Sequence, residues 1–303
     1  MSMFDAAVRA ALPITPKPMV RFFARRYVAG ATLADAIATV QRLAHEGCRA
    51  TFDVLGESVS ERAHAAAAVT AYHEVLDAIA ANALPANVSL KPTQMGLNID
   101  PAFCRDNIAA VLERAQRHGI FVRIDMEDSP TTDATLGVYR ELIARFPGLT
   151  GVVLQARLRR TMADAAAIAA ASGNVRLCKG IYLEPRAIAY LERDVIRQAY
   201  VHALHILLEK GAHVAIATHD EWLVCEALGL IHRLAVPTNR YEFQMLLGVD
   251  PELRRIITGG GHPLRVYVPF GSEWYPYSVR RCRENPSIAR AGLASFFKGR
   301  MES

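Results

Sequence analysis

The sequence predicts an α/β fold, a (β/α)8 TIM-like barrel with an N-terminal helical arm and a C-terminal helix closing the barrel mouth. Eight short runs of apolar or β-branched residues recur along the 303 residues, separated by longer Ala-, Leu- and Arg-rich stretches with helical patterning. Strict alternation of strand and helix implies parallel pairing, because a helix must carry the chain back to start the next parallel strand. Eight such units in roughly 250 residues match one closed barrel better than two domains, and no Pro-, Gly- or Ser-rich linker divides them.

Residues 1–30 are read as the arm and residues 31–303 as a single barrel domain. The first strand is expected over Ala50–Leu55, followed by a helix over Arg62–Ala81 with Ser60 ahead of it as a start signal. The second strand, Val88–Thr93, leads to a helix over Phe103–His118 that Gly119 stops. Next come strand Phe121–Met126 with helix Asp133–Arg145, and strand Gly151–Gln155 with helix Met162–Ala171. Strand Val175–Lys179 precedes helix Arg186–Lys210, and Gly173 and Gly211 follow helix ends. Strand His213–Thr218, helix Glu221–Leu228, strand Tyr241–Leu246, helix Pro251–Thr258 and strand Arg265–Pro269 complete the series. A doubly wound nucleotide-binding sheet would need a Gly-rich turn after an early strand, whereas the first strand runs into Gly56-Glu57-Ser58. Gly259-Gly260-Gly261 precedes the last strand on the opposite face and reads as a plain turn.

Composition narrows the function classes. The net charge is +5, but the 35 basic residues are 30 Arg and 5 Lys, scattered rather than gathered into a stripe, so no nucleic-acid partner is expected. Five Cys, an odd set without a CxxC pair, fit neither a disulfide framework nor a zinc ribbon. Pro13, Pro16 and Pro18 interrupt any export signal and no run of about 18 apolar residues occurs, so a cytoplasmic protein is expected, with peripheral membrane contact left open.

Active sites of such barrels lie at the C-terminal ends of the strands, where the βα loops converge. Here those ends carry Asp53 and Glu57, Lys91 with Thr93 and Gln94, Asp125 with Glu127, Gln155, Lys179 with Tyr182, Thr218 with His219 and Asp220, Gln244, and Tyr267. Two of the five Lys are among them. Asp125 is read as standing inside its strand, where an uncompensated charge is costly. Lys91 is either a snorkelling lysine or half of a buried pair with Asp125. Asp128 and Asp220 read equally well as caps of the helices that follow.

A second concentration spans Trp274 to Glu284. If the chain is helical after Pro276, then Tyr277, Arg280, Arg281 and Glu284 share one face. Adjacent guanidinium forks suit a carboxylate and the Glu suits an ammonium, a description of a zwitterionic ligand. A solvated, salt-bridged helix is the plainer alternative; the position directly after the eighth strand favours the ligand.

With these residues assembled, the chain resembles the proline dehydrogenase family over roughly Arg26 to Glu284. The resemblance rests on Arg26-Tyr27-Val28-Ala29-Gly30, Leu90-Lys91-Pro92-Thr93-Gln94-Met95-Gly96, Ile124-Asp125-Met126-Glu127, Arg176-Leu177-Cys178-Lys179-Gly180-Ile181-Tyr182 and Ala217-Thr218-His219-Asp220. It continues through Tyr241-Glu242-Phe243-Gln244-Met245-Leu246, Arg265-Val266-Tyr267-Val268-Pro269-Phe270-Gly271 and Arg280-Arg281-Cys282-Arg283-Glu284. No single block is specific; all of them in order are.

The resemblance implies an FAD-dependent enzyme that oxidises L-proline to delta-1-pyrroline-5-carboxylate by hydride transfer to flavin N5 and passes the electrons to a quinone. It implies that FAD sits in the barrel itself, which accounts for the missing Gly-rich fingerprint. By the same resemblance Met126, Gln155, Arg176, Lys179, Gly180, Ile181, Thr218 and His219 match flavin contacts. Lys91, Arg280 and Arg281 match a clamp on the proline carboxylate, with Glu284 facing the ring nitrogen. Asp125 and Arg176 match the active-site pair, and Tyr182, Leu246, Tyr267 and Tyr277 would wall the substrate ring. Tyr267 favours proline over 4-hydroxyproline, and the chain length implies a monofunctional enzyme. Pro92 departs from the family pattern and predicts that its strand ends or bulges there; Cys178 reads as a small apolar substitute. The residues alone leave two alternatives, a Schiff-base aldolase using Lys91 or Lys179 and a catalytically silent proline-sensing barrel.

Overall fold

The computed structural model describes residues 25–275 and 277–279 of the chain. Helix α1 (Leu33–His45) precedes the first strand. There follow β1 (Arg49–Val54), α2 (Arg62–Ala81), β2 (Ala86–Leu90), α3 (Pro101–His118), β3 (Val122–Ile124) and α4 (Thr132–Arg145). The second half comprises β4 (Thr150–Gln155), α5 (Thr161–Ala170), β5 (Asn174–Cys178), α6 (Arg193–Glu209), β6 (His213–Ala217), α7 (Glu221–Arg233), β7 (Tyr241–Leu246), α8 (Pro251–Gly259) and β8 (Leu264–Phe270). The eight strands close into a barrel in sequence order, β8 pairing in parallel with β1 from Arg49 opposite Arg265 to Val54 opposite Phe270. Helix α1 lies against β1 and β8 and so covers the seam where the barrel closes. No helix among the described residues is long and apolar enough to cross a membrane.

Local chemistry accounts for the element ends. Thr32 and Asp35 form a reciprocal capping box at the start of α1. Asp100 caps α3 through the Phe103 N–H with Pro101 in the first turn, and Gly119 ends that helix at φ +64°. Helix α2 starts instead after Glu61, so Ser60 is not its cap. Three strands are shorter than expected, β6 by the single residue Thr218. Strand β2 stops at Leu90, just ahead of Lys91 and Pro92, as a proline without an N–H requires. Strand β3 ends at Ile124, which places Asp125 one residue beyond the strand, its N–H still donating to the Leu90 carbonyl. The helix expected from Arg186 begins at Arg193, because Ala189 is held by an antiparallel bridge to Leu158.

Strand parity sorts by polarity. On β1 Ala50 and Phe52 join the apolar cluster shared with the helices, while Thr51 and Asp53 are buried polar residues of the opposite parity. The same division sets Val88 and Leu90 against Asn87 and Ser89, Val175 and Leu177 against Arg176, and Val266 against Arg265. The polar parity faces the bore, where Thr51 and Ser89 hydroxyls meet at 3.2 Å and the Arg265 guanidinium donates to the Ala50 carbonyl at 2.7 Å. The centre of this barrel is therefore a hydrogen-bonded network, where such barrels more often hold branched aliphatic side chains.

Candidate active site at the C-terminal rim

Arg176, on β5, is the hub. It is 6% exposed, and its guanidinium donates to three acceptors on three other segments: Nη1 to Asp125 Oδ1 at 2.6 Å, Nε to Gln244 Oε1 at 2.5 Å and Nη2 to Ser89 Oγ at 2.7 Å. The second oxygen of Asp125 accepts the Tyr267 hydroxyl at 2.9 Å, and the Arg176 guanidinium carbon lies 5.3 Å from the centre of that phenol ring. Burial, together with the nearby carboxylates of Asp125 and Asp53, holds the Tyr267 phenol well above its ordinary pKa, so it stays a proton donor to Asp125.

Lys91 corrects one expectation. Its ammonium donates to Asp53 Oδ1 at 2.7 Å, not to Asp125, because Asp125 is already held by Arg176 and Tyr267. Burial alone would lower the Lys91 pKa, but the charges of Asp53 and Asp125 and the hydrogen bond to Asp53 outweigh it and raise it. Such a lysine is a fixed cation rather than an amine nucleophile. Beside it, Glu127 accepts from the Thr93 N–H at 2.9 Å and the Thr93 hydroxyl at 2.7 Å, and burial raises its pKa.

On the β4 to β6 side, Lys179 donates to Asp220 at 3.0 Å, and Arg197 grips both oxygens of the same carboxylate at 2.9 and 2.8 Å. Asp220 occupies the position before α7 but makes no side-chain cap, so the capping reading fails for it: its charge is held by cations. Burial works against that charge, and the hydrogen bonds from Arg197 and Lys179 prevail, holding the carboxyl well below the usual range. The Leu246 N–H donates to His219 Nε2 at 2.8 Å, which makes that ring nitrogen an acceptor. Thr218 is buried beside it, and its hydroxyl accepts from the Asp220 N–H.

Gln155 and Gly180 pack closely together in this rim. The Gln155 amide donates to the Glu127 carbonyl at 2.7 Å, while its Oε1 is buried without a partner. Gly180 has φ +93°, and a Cβ there would meet that Oε1 at 2.8 Å and Arg157 Cδ at 2.8 Å. A glycine next to an orphaned acceptor suits a flat group bearing a donor. Met126 is buried nearby in sequence, Ile181 and Tyr182 continue the loop, and the Tyr182 carbonyl accepts from Arg157. Tyr277 is buried against Val28 and Leu55, with Trp274 packed beside them. The expected positions Arg280, Arg281 and Glu284 lie outside the described residues.

Ser89, Glu242 and Arg265 were missed as site residues, and Gln244 was noticed only as a strand-end side chain. Parity could have found them, since each lies two residues before a rim position: Ser89 before Lys91 at the end of β2, Glu242 before Gln244 and Arg265 before Tyr267.

A closed parallel barrel whose C-terminal rim gathers hydrogen-bonded Arg, Asp, Lys and Tyr side chains has the layout of a barrel enzyme. The sequence matches the proline dehydrogenase family over residues 36–291, and the chain belongs to that family. Among its relatives, it is 34% identical over 278 residues to proline dehydrogenase 1 of Bacillus subtilis, covering 92% of each chain. It is 31% identical over 310 residues to proline dehydrogenase of Deinococcus radiodurans, covering 98% of this chain and 100% of the other. Among solved structures, proline utilization A from Bdellovibrio bacteriovorus inactivated by N-propargylglycine superposes with a TM-score of 0.81 at 23% identity over 87% of this chain. Proline utilization A from Corynebacterium freiburgense gives 0.76 at 19% identity over 98% of this chain. This chain spans 33% and 36% of those longer proteins, and at such identity the likeness is one of fold.

Proposed function

We propose that the protein is a flavin-dependent dehydrogenase that oxidises L-proline to delta-1-pyrroline-5-carboxylate and hands the electrons to a quinone. The observation that carries this reading is Arg176 fixed against Asp125, with the orphaned Gln155 Oε1 on the neighbouring strand. FAD, when bound, supplies the acceptor for the hydride that leaves ring C5 of the substrate. Met126, Gln155, Arg176, Lys179, Gly180, Ile181, Thr218 and His219 are the residues that would hold it. Gln155 Oε1 offers the acceptor that an imide N–H needs, and the Arg176 cation favours negative charge on a neighbouring ring.

Lys91, a permanent cation at the bore side of the rim, would anchor the proline carboxylate together with Arg280 and Arg281, leaving Glu284 to face the ring nitrogen. Tyr182, Leu246, Tyr267 and Tyr277 would bound the ring. The raised pKa of Lys91 tells against a Schiff-base role for it, since such a nucleophile must be neutral. A quinone acceptor would bring the protein to a membrane surface as a peripheral visitor.

Anaerobic mixing of the FAD-loaded protein with L-proline tests the reading. Flavin absorbance near ~450 nm should bleach and a soluble quinone should then be reduced, faster with proline than with 4-hydroxyproline. A flavin that stays oxidised would overturn it in favour of a silent proline-binding barrel.

A further inference from the structure

The bore holds a chain of side chains that leads away from the rim. Arg265, on β8, is anchored at the Ala50 carbonyl and grips both oxygens of Glu242, Nε at 2.7 Å and Nη2 at 3.1 Å. Glu242 Oε1 accepts from Gln244 Nε2 at 2.6 Å, and Gln244 Oε1 in turn accepts the Arg176 Nε–H at 2.5 Å. All four residues are buried. An amide can point either way, but a carboxylate only accepts. Arg176 can only donate and Glu242 only accept, so between them Gln244 turns its oxygen to Arg176 and its NH2 to Glu242.

We infer that Glu242 and Gln244 are positioning residues for the reaction: the carboxylate anchors the Gln244 NH2, and the amide oxygen so held fixes the plane and height of the Arg176 guanidinium. This rests on the proposed proline oxidation for its kinetic consequence, and on the geometry alone for its structural one. Asp125 and Ser89 hold the two outer nitrogens of Arg176. Gln244 holds the inner Nε, and without it the guanidinium can rock about the line between the other two bonds. A donor misplaced by a fraction of an ångström weakens transition-state stabilisation more than substrate binding.

The test compares Gln244→Met, which keeps the Glu242 to Arg265 pair and the side-chain volume, with Glu242→Gln, which removes the acceptor-only group. For Gln244→Met, kcat with proline should fall roughly tenfold to hundredfold while KM changes less than about threefold, and the flavin midpoint potential should drop. For Glu242→Gln the same signs are expected if it folds. Hydrogen exchange of the Arg176 Nε–H, followed by arginine 15N NMR and assigned with Arg176→Lys, gives a readout independent of flavin and substrate. Protection should fall at least about tenfold in both variants. Unchanged kcat, potential and protection in Gln244→Met would overturn the inference, showing that Asp125 and Ser89 suffice. If the wild type fails to oxidise proline, the functional reading falls while the exchange measurement still decides whether the relay holds Arg176.

Discussion

Glu242 shows how a charge becomes affordable in a protein interior. Burial pushes its pKa up, yet the Arg265 charge and hydrogen bond, with the Gln244 amide, bring it down to about 2 from 4.5. A group whose folded pKa is depressed contributes stability above its unfolded value and loses it as pH falls through the folded one. Acid melts followed by circular dichroism should therefore lose stability between pH about 4.5 and pH about 2 in the wild type, and Glu242→Gln should flatten that slope while lowering stability at neutral pH. At Gly180 an added methyl group must take up φ +93° and displace both Gln155 and Arg157. Gly180→Ala is expected to cost about 1–3 kcal/mol and to weaken flavin binding more than it lowers the melting temperature, as titration of the apoprotein with FAD would report. The charged rim residues were legible in the sequence because charges at strand ends stand out. Their partners were not, since whether Lys91 meets Asp53 or Asp125 depends on how the barrel's strands are staggered, and no single strand contains that.

The helices serve the bore as well as covering it. The Tyr72 hydroxyl on α2 donates to the Ser89 carbonyl at 2.6 Å, and the Tyr200 hydroxyl on α6 donates to the Leu177 carbonyl at 3.0 Å. Both rings are fully buried, so each helix is tied to the strand it follows or crosses by a bond that water cannot replace. Tyr72→Phe should cost about 1–3 kcal/mol in urea unfolding, with an unchanged denaturant slope, because a buried carbonyl loses its donor. It should also loosen Ser89 and thereby the outer nitrogen of Arg176. Element identity was readable because strands and helices differ in length and because Gly119 marks a helix end with definite chemistry. Element ends were read less well where tertiary bonds rule. The turn through Ala189 interrupts a segment whose composition is helical, and β3 stops short of Asp125 because that residue turns to meet Arg176.

At the level of the whole barrel, two polarities are wound together. The runs Arg49–Val54, Asn174–Cys178 and Leu264–Phe270 read as buried strands because their apolar members face the helices, and this made the fold legible. Their alternate members build the site from below, which an apolar-run reading passes over. Arg123 belongs to the same layer: burial first, then the Arg176 charge, lowers its pKa to about 9, and it bonds to carbonyls and an amide of β4 and β5. Because the network crosses β2, β3, β5, β7 and β8, the core amides of those strands should open together. Native-state hydrogen exchange is expected to give Arg176, Gln244 and Val266 amides one shared opening free energy; an independent opening of β8 would contradict this.

The hydrogen-bond path that leaves β8 at Arg265 runs through Glu242, Gln244, Arg176 and Asp125 and returns to β8 at Tyr267. It is a ring threaded through β8, the last strand among the described residues. A nascent chain that has completed seven strands has every acidic and basic member of the rim's first half in place and still lacks both ends of this ring. Slipping β8 by one residue would turn Val266 and Val268 inward and remove both at once. Closing the barrel in the correct register and completing this ring are thus a single event.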